Sequence, residues 1–481
     1  MKKLHLITLV AILISFYSFA QEPKSIYATM ALSDALELQE DLPDEVEILE
    51  KRRNEAAVFF TEHAGQYLHG NVLIHGPGYI FKSSEEDAIA ALYKEPREIP
   101  ANKLAFTITE DLWVTPALDL INTQNIEDHI LELEGYGTRY HAYAIAVDVA
   151  NDLKDKWEAL ATQYGRTDVS VRLFNHVNTN MPSVIMTIEG AENPDEFVVV
   201  GGHLDSTAYN NNDAPGADDD ASGIATMTES IRALFELGFV PNRTIEVMAY
   251  AAEEIGLVGS AEIAEDYANN NVNVISAVQF DMTNYNGSAI DVSFISDYTN
   301  ATLNAFLMGL IDHYNTSGVH QITYGTSLCN YGCSDHASWT NEGYMSAFPF
   351  EATFGQHNGF IHTPNDTFSI SGTADHAAKF SKLCVEYLIE TAKTSVLTVD
   401  DTLVSAVSII TQNGQLIYNL EGANKDFKSI VFYDMLGKKV LEAPITSKRG
   451  SVSTQSFSTG VYVATFYVED QTSVSKKFII K

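Results

Sequence analysis

The sequence has few basic residues for its length. Its 481 residues include 29 Lys and Arg against 64 Asp and Glu, which gives a formal net charge of −35 at pH 7. A chain of that charge repels phosphate backbones and anionic lipid headgroups. We therefore expect no nucleic-acid partner and no attachment to anionic membrane surfaces.

Beyond residue 20 the sequence also lacks an apolar run long enough to span a bilayer. The first twenty residues differ, since Met1-Lys2-Lys3 precedes an apolar stretch that ends at Ser18, and the small residue Ala20 stands before Gln21. This order predicts a cleaved secretory signal peptide over residues 1–20, because the apolar stretch is too short for a membrane anchor. We expect a secreted or cell-surface protein.

Cysteine is scarce, with three residues in the whole chain. Cys329 and Cys333 lie four residues apart, and Gly332 lets the chain turn between them, so a disulfide that closes a small loop is geometrically reasonable in an exported protein. Two unlinked thiols or a zinc-binding pair are the alternatives. Cys384 falls on an apolar helical pattern and is interpreted as a free, buried thiol.

The length and the 45% hydrophobic content indicate two or three folded domains with real cores. We predict a propeptide-like region over residues 21–118, because this stretch follows the signal peptide and carries no cluster of metal-ligating side chains. A helix is predicted near Asp44 to Phe60, after Pro43. The alternative is a structural N-terminal extension that stays in place.

Residues 119–395 alternate helical patterns with short β-rich runs, which predicts an α/β domain with a central mixed β-sheet flanked by helices. A helix is predicted over Ser222 to Leu237, with Ser222 as its N-cap and Gly238 just past its end. The predicted strands are Ser183 to Ile188, Phe197 to Val200, Ile245 to Tyr250 and Ala277 to Phe280.

Side chains that suit metal binding follow several of these strands. In chain order they are His203 with Asp205, the run Asp218 to Asp220, the pair Glu253 and Glu254, then Asp281, and finally His362. Open α/β sheets bind ligands at the carboxyl ends of their strands. Zinc accepts nitrogen and oxygen donors, and a zinc pair needs a bridging carboxylate besides separate donors for each ion. The set predicts a two-zinc hydrolase site in which Asp205 orients His203.

Each of these residues, taken singly, has a structural explanation. A histidine can be satisfied within a core, an aspartate run can be a solvated turn, and Glu253 with Glu254 can be a helix-start pair favoured by the helix dipole. Their joint occurrence after apolar strands favours the metal site. The remaining histidines, including His336, His357 and His376, are interpreted as ordinary structural residues.

The same motifs resemble the secreted bacterial leucyl aminopeptidases, a family of co-catalytic two-zinc exopeptidases. The matching stretches are G-G-H-L-D-S-T at 201–207, P-G-A-D-D-D-A-S-G at 215–223, A-Y-A-A-E-E at 249–254, D-M-T-N-Y at 281–285, C-N-Y-G-C-S-D-H-A-S-W at 329–339 and I-H-T at 361–363. The resemblance covers about residues 119–393 and implies the zinc exopeptidase type of fold.

The resemblance also implies a role for each matching residue. His203 and Asp281 would bind one zinc ion, and Glu254 and His362 would bind the other. Asp219 would bridge the two ions, and Glu253 would be the general base. The family's disulfide falls on Cys329 and Cys333.

The implied enzyme is a metallo-aminopeptidase that releases N-terminal residues from peptides or proteins with a hydroxide bound to two zinc ions. It is expected to be a monomer and to prefer large hydrophobic first residues. The predicted pocket walls are Met282, Ile295, Tyr331, Phe348, Phe350, Phe354 and Ile361. For Met282 and Phe348, a plain core position is an equal alternative.

Two other functions are compatible with this scaffold. Glutaminyl cyclases share it but work with one zinc ion, so a cyclase-like enzyme is the alternative activity. A non-catalytic surface or adhesion protein would be expected to lack a ligand or the base, and no ligand position is missing here.

The last part of the chain differs in character. Residues 396–481 contain neither His nor Cys, and alternating runs such as Ser429 to Tyr433 and Val461 to Tyr467 predict a small β-sandwich. The stretch Gly460 to Val463 and the ending Lys476 to Lys481 resemble the C-terminal sorting domains of secreted Bacteroidetes-type proteins. The implied partner is the outer-membrane secretion machinery, and a generic binding module is the alternative.

Overall fold

The computed structural model describes residues 25–71, 75–94, 106–393, 407–412, 414–420, 426–434, 438–468 and 473–480. The predicted signal peptide, residues 1–20, lies outside the described residues. The described residues from 25 to 94 belong to the same compact unit as residues 108–393, and those from 407 to 480 form a second unit. The propeptide-like region therefore packs together with the central α/β region.

The N-terminal part is a four-stranded antiparallel sheet with strand order β2-β3-β1-β4, covered by short helices. Its core includes Ala28, Val58 and Phe60. Its elements are β1 (Ser25–Ala31), α1 (Leu32–Asp41), β2 (Val46–Arg52), β3 (Glu55–Thr61), α2 (Glu62–Asn71), β4 (Tyr79–Lys82) and α3 (Glu85–Ala91).

The helix predicted near Asp44 to Phe60 is wrong, because this stretch forms the hairpin of β2 and β3. Arg53 turns the chain with a φ of +56°. Val58, Phe59 and Phe60 are residue types that favour strands, and Val58 and Phe60 lie on the face that packs into the core. This preference outweighs the helix-start signal at Pro43.

The central part contains the elements that carry the predicted ligands. They are α4 (Asp111–Leu120), α5 (Thr123–Glu134), α6 (Ala144–Gln163), β5 (Val169–Phe174), β6 (Ser183–Ile188), β7 (Asn193–His203), α7 (Ala221–Leu237), β8 (Arg243–Tyr250), α8 (Val258–Asn269), β9 (Asn273–Gln279), β10 (Val292–Ile295), α9 (Ala301–Tyr314), β11 (Tyr324–Ser327), α10 (His336–Asn341), β12 (Ser346–Ala347), β13 (Pro349–Phe350) and α11 (Ala377–Lys393).

The predicted mixed sheet is confirmed, with strand order β12-β9-β7-β8-β6-β5. Strands β7, β8, β9 and β12 run parallel, whereas β6 is antiparallel to β8 and β5 is antiparallel to β6. Every residue of β8 is buried, as expected for an inner strand with both faces covered. The carboxyl ends of β7, β8 and β9 therefore lie along one edge of the sheet.

The helix predicted over Ser222 to Leu237 is α7, with one correction at its start. Asp220, and not Ser222, is the N-cap, because its carboxylate accepts a hydrogen bond from the Gly223 amide. Ser222 lies in the first turn, and its hydroxyl donates to the carbonyl oxygen of Asp218. The helix ends at Gly238, whose φ of +70° is the left-handed conformation that favours glycine.

The predicted C-terminal sandwich is confirmed as two antiparallel sheets, with strand orders β14-β15-β18 and β17-β16-β19-β20. Both sheets contribute to one core, which includes Leu416, Phe432 and Phe466. The strands are β14 (Ser408–Gln412), β15 (Gln415–Asn419), β16 (Phe427–Asp434), β17 (Lys439–Pro444), β18 (Arg449–Ser453), β19 (Gly460–Val468) and β20 (Ser473–Ile480).

None of the helices in the described ranges has both the length and the apolarity needed to cross a bilayer.

The core of the C-terminal unit depends on Phe466, whose buried ring lies 5.9 Å from that of Tyr418 and 6.1 Å from that of Phe427. We expect Phe466→Ala to lower the free energy of unfolding of this unit by about 3–5 kcal/mol through the lost burial and the cavity left behind. Urea titration monitored by tyrosine near-ultraviolet circular dichroism and limited proteolysis measures the change.

The matched control is Ile410→Ala, since 65% of Ile410 in the same unit is exposed. Trp113, Trp157 and Trp339, the three tryptophans of the chain, all lie in the first unit, so their fluorescence reports its unfolding separately. A Phe466→Ala protein whose C-terminal unit resists proteolysis as well as the Ile410→Ala protein would contradict this account.

Candidate metal centre

The strand ends along one edge of the central sheet supply most of the predicted ligands. His203 is the last residue of β7, Glu253 and Glu254 form a 3-10 turn shortly after β8, and Asp281 follows β9 by two residues. Because these three strands are parallel, their ends bring the four side chains to the same place. His362, which comes from a loop far along the chain, joins them there.

Asp219 lies between the two predicted histidine ligands. Its Oδ1 atom is 2.8 Å from Nε2 of His203, and its Oδ2 atom is 3.1 Å from Nε2 of His362. Asp219 and Asp220 are joined by a cis peptide bond at the start of α7. The two distances show that the two oxygens of the Asp219 carboxylate face two different histidines.

The other predicted ligands surround this pair. Oε2 of Glu254 lies 3.2 Å from Nε2 of His362, and Oδ1 of Asp281 lies 3.5 Å from Nε2 of His203. Ser334 donates a hydrogen bond to Oδ2 of Asp281 over 2.6 Å. All five predicted ligand side chains are thus brought together.

Asp205 contacts both His203 and the turn that carries Glu253 and Glu254. Its carboxylate oxygens accept hydrogen bonds from the backbone amides of Glu253 and Glu254, over 3.0 and 3.3 Å. The same carboxylate lies 3.6 Å from Nδ1 of His203, which also contacts the Asp205 carbonyl oxygen at 3.1 Å. Asp205 thereby couples the orientation of the His203 ring to the turn that carries both glutamates.

Further buried groups fix the loop that carries Asp219. The Asp366 carboxylate accepts hydrogen bonds from the backbone amides of Asp218 and Asp219. Arg139 is fully buried and donates to the carbonyl oxygens of Leu204 and Gly216, on either side of the site. The predicted ligands therefore lie on loops that are held by hydrogen bonds to their backbone.

The backbone is strained at several of these positions. Ala252 precedes Glu253 with a φ of +55°, Met282 follows Asp281 with a φ of +55°, and His362 has a φ of +57°. Left-handed conformations of residues other than glycine are uncommon and cluster at functional sites.

Burial and neighbouring charges act against each other at the histidines. Burial lowers the pKa of His203, but the Asp281 charge and hydrogen bonds with Asp205 and Asp219 outweigh it and raise the pKa well above the usual value. At His362 burial is likewise outweighed by Glu254 and Asp219, and the pKa is raised to about 10. The carboxylates therefore draw positive charge into the site.

At Glu253, by contrast, burial and the neighbouring carboxylates act in the same direction. Burial raises the pKa of Glu253 well above its usual value, and the charges of Asp335, Glu254 and Asp281 raise it further against the influence of His203. A buried site with this many carboxylates favours the binding of either protons or a metal cation.

The donor set fits bound metal. Within the described ranges, three groups of side chains have ligand atoms within 4.8 Å of one another: His203 with Asp219 and Glu254, His203 with Asp220 and Asp281, and His75 with Asp219 and Asp281. Among the described residues, none donates a hydrogen bond to Oε1 of Glu253 or Oδ1 of Asp281, although both atoms are buried. Buried carboxylates are normally paired or bound to metal, and zinc accepts these nitrogen and oxygen donors.

The predicted pocket residues form one apolar cluster together with Cys329 and Cys333. These two cysteines are joined by a disulfide, and Cys384 is a free, buried thiol. The aromatic rings pack edge to face or tilted, with centroids 5.4 Å apart for Phe348 and Phe350 and 5.7 Å apart for Phe350 and Phe354. The members of the cluster are Met282, Ile295, Tyr331, Phe348, Phe350, Phe354 and Ile361.

Two histidines that were interpreted as structural border this cluster. The His336 ring lies 4.9 Å from that of Phe348, and the His357 ring lies 5.5 Å from that of Phe350. Nε2 of His376 lies 2.9 Å from the carbonyl oxygen of Glu351. All three are buried among these neighbours.

The sequence does not indicate His75, which enters the site from the N-terminal part and places Nε2 3.6 Å from Oδ2 of Asp281. Nor does it indicate the role of Asp220, whose carboxylate accepts hydrogen bonds from the backbone amides of His203 and Met282. The run of three aspartates was a signal for Asp220. For His75 the sequence offered no signal, because no strand end or metal-binding spacing precedes it.

Comparison with known proteins gives two family matches. A family model described as peptidase family M28 matches residues 183–387, and one described as a secretion system C-terminal sorting domain matches residues 412–481. The chain is 34% identical over 289 residues to leucine aminopeptidase 1 of Paracoccidioides brasiliensis, and the aligned region covers 56% of this chain and 71% of the relative. It is 31% identical over 330 residues to a probable leucine aminopeptidase of Arthroderma benhamiae, covering 67% and 87%.

Solved structures resemble the chain over much of its length. LapB from Legionella pneumophila superimposes with a TM-score of 0.67 at 27% identity, covering 77% of this chain and 100% of that one. The LapA aminopeptidase of the same organism has a TM-score of 0.67 at 29% identity, covering 78% and 100%.

The contacts of Asp205 lead to a prediction for metal binding. We expect Asp205→Ala to weaken zinc affinity by about 10- to 100-fold, because partners that orient metal-binding histidines typically contribute that much. Competition with a chromophoric zinc chelator measures the change. The control is Asp213→Ala, an exposed aspartate in the loop that follows Asp205. Equal zinc affinities of the two variants would show that Asp205 does not support the site.

Proposed function

The chain belongs to peptidase family M28 and is a zinc-dependent aminopeptidase, and we propose that it uses two zinc ions to release large hydrophobic residues from the N-termini of peptides. The position of Asp219 carries the two-zinc proposal. Its two carboxylate oxygens face His203 and His362 separately, at 2.8 and 3.1 Å. One carboxylate that faces two donor groups is the arrangement a shared ligand requires.

We assign His203 and Asp281 to one ion, Glu254 and His362 to the other, and Asp219 to both. The proximity of Asp281 to His203 and of Glu254 to His362 supports this division. When bound, a zinc pair would lower the pKa of water and polarise a substrate carbonyl.

Glu253 is the proposed general base. Its carboxylate would accept a proton from the attacking water and donate it to the departing amine. The side chain is buried, Oε1 accepts no hydrogen bond from the described residues, and Asp205 fixes its backbone amide. Burial raises its pKa, which brings this carboxyl closer to the proton affinity that transfer near neutral pH needs.

The apolar cluster is the proposed pocket for the first side chain of the substrate. Its aromatic and aliphatic walls adjoin Asp281 through Met282 and adjoin His362 through Ile361. Large aliphatic or aromatic side chains would bury the most apolar surface there. The carboxylate-rich surroundings would attract the free α-amine of the substrate, which makes an exopeptidase the expected reaction type.

The sorting-domain match indicates export, to the exterior or to the cell surface. We propose that residues 1–20 are a signal peptide, that the C-terminal unit binds the outer-membrane secretion machinery, and that the protein acts as a monomer. We further propose that the N-terminal part keeps the enzyme as a zymogen. Its packing in the same unit as residues 108–393 supports this role.

Activity and metal content test the proposed function together. Purified protein freed of its N-terminal region is expected to hydrolyse leucyl-p-nitroanilide faster than the lysyl and glutamyl analogues and to contain two zinc ions per chain by elemental analysis. If the protein contained one zinc ion and cyclised glutaminyl peptides to pyroglutamate, this result would favour the cyclase alternative instead. A two-zinc protein that releases no aminoacyl group would refute the proposal.

Substitutions separate the base from the ligands. Glu253→Ala is expected to keep both zinc ions but to lower kcat by about 10²- to 10⁴-fold, because proton transfer by a positioned side chain contributes that much. Asp219→Ala is expected to lose zinc as well. Parallel measurement of kcat and bound zinc in the two variants distinguishes the roles. Equal zinc loss in both would contradict the assignment of Glu253.

A further inference from the structure

Residues 75–78, which precede β4, enter the metal centre from the N-terminal part of the chain. Tyr331 donates a hydrogen bond from its hydroxyl to the carbonyl oxygen of His75. Gly76 passes the disulfide loop with a φ of +64°, and a Cβ there would collide with the carbonyl oxygen of Cys333 and lie 3.5 Å from Oε1 of Glu253. Glycine is the residue that fits this path, so the backbone at this point lies directly beside the proposed general base.

The His75 ring occupies the apolar pocket. Only 1% of the residue is exposed. Its ring centroid lies 5.2 Å from that of Phe350 and 6.2 Å from those of Phe348 and His357. The imidazole therefore lies where the proposed function places the first side chain of a substrate.

A nitrogen atom of this ring lies near the carboxylates of the site. Nε2 lies 3.6 Å from Oδ2 of Asp281, and a ring nitrogen is within 4.8 Å of ligand atoms of both Asp219 and Asp281. Within the part of the chain that the structure describes, neither ring nitrogen has a hydrogen-bond partner. A buried polar group without a partner is destabilising, and a neutral imidazole nitrogen is a common zinc ligand.

We propose that His75 is a further metal ligand in the uncut chain, and that it binds the ion assigned to His203 and Asp281. This inference rests on the proposed function, since it concerns the same metal centre. A catalytic zinc site keeps one position open, whereas a structural site is closed by protein ligands. His75 closes the position, and its ring excludes the substrate side chain, so the segment inhibits the enzyme by two separable means.

The remainder of the site stays open beside this segment. A cavity of about 560 Å³ adjoins Glu254 and His362, and its walls include Tyr79 of the N-terminal part and Tyr140 of the central part. The metal centre is thus closed on the side of the apolar pocket and accessible on the side of Glu254. Because the cavity reaches two of the proposed ligands, the inference can be tested on the intact protein.

Two substitutions separate the ring from its nitrogen. His75→Phe keeps an aromatic ring of similar size in the pocket but removes the ligand atom, and His75→Ala removes both. The control is His63→Ala, because His63 is an exposed histidine of the same N-terminal part. Full-length proteins are loaded with cobalt(II), and the visible absorption spectrum and the cobalt affinity are measured with the rate of leucyl-p-nitroanilide hydrolysis.

We expect both His75 variants to show altered visible absorption and an affinity for one cobalt ion that is lower by about tenfold or more, whereas His63→Ala matches the parent. His75→Ala should also raise kcat/KM of the uncut chain by about tenfold or more, and His75→Phe should raise it less because its ring still fills the pocket.

The inference would be overturned if both His75 variants had the same cobalt spectrum and the same cobalt affinity as the parent, whatever their hydrolysis rates. Failure of the proposed function gives a different result, because the spectra would still respond to His75 while no variant and no trimmed protein releases an aminoacyl group. Circular dichroism of each variant establishes that the fold is retained, and His75→Phe retains the test if His75→Ala does not fold.

Discussion

The mutual repulsion of buried carboxylates is the constraint on which this structure depends. Asp219, Glu253, Glu254 and Asp281 are all nearly inaccessible to solvent, and Asp219, Glu254 and Asp281 each have a ligand atom within 4.8 Å of one of His203. Charges of one sign cannot be buried together without compensation, and here His203 and His362 provide the nearest positive character. When bound, the zinc that membership of the M28 family implies would supply the compensating charge, so the ion that the proposed chemistry requires would also stabilise the site.

Precision at this site comes from groups that bind the backbone of the ligand loops. Asp205 accepts hydrogen bonds from backbone amides of the glutamate turn, and Asp366 accepts them from backbone amides of the Asp219 loop. Arg139 donates to the carbonyl oxygens of Leu204 and Gly216. The hydrogen bonds to Asp205 hold the turn that follows the left-handed residue Ala252, because this turn cannot relax without leaving buried polar groups unsatisfied.

The N-terminal part belongs to the same compact unit as the proposed metal ligands, and on our proposal this arrangement connects export with activity. The segment at His75 and Gly76 passes between the disulfide loop and the proposed base, so its position is tied to Tyr331 and Cys333. The disulfide thus lies in a wall of the proposed pocket and beside the segment that we propose to be inhibitory. On our proposal, the N-terminal part keeps the enzyme inactive until the protein has been exported.

The sequence by itself determined the mixed α/β sheet, the C-terminal sandwich and the identity of the clustered side chains, because strand patterns are local and parallel strands deliver the residues at their ends to one edge. It did not determine the hairpin at residues 46–61, where local signals for a helix and for strands competed and packing against the core decided. Only the tertiary structure brought His75, Arg139 and Asp366 to the site. Their partners lie far away in the chain, and no periodicity or spacing encodes a contact between distant loops.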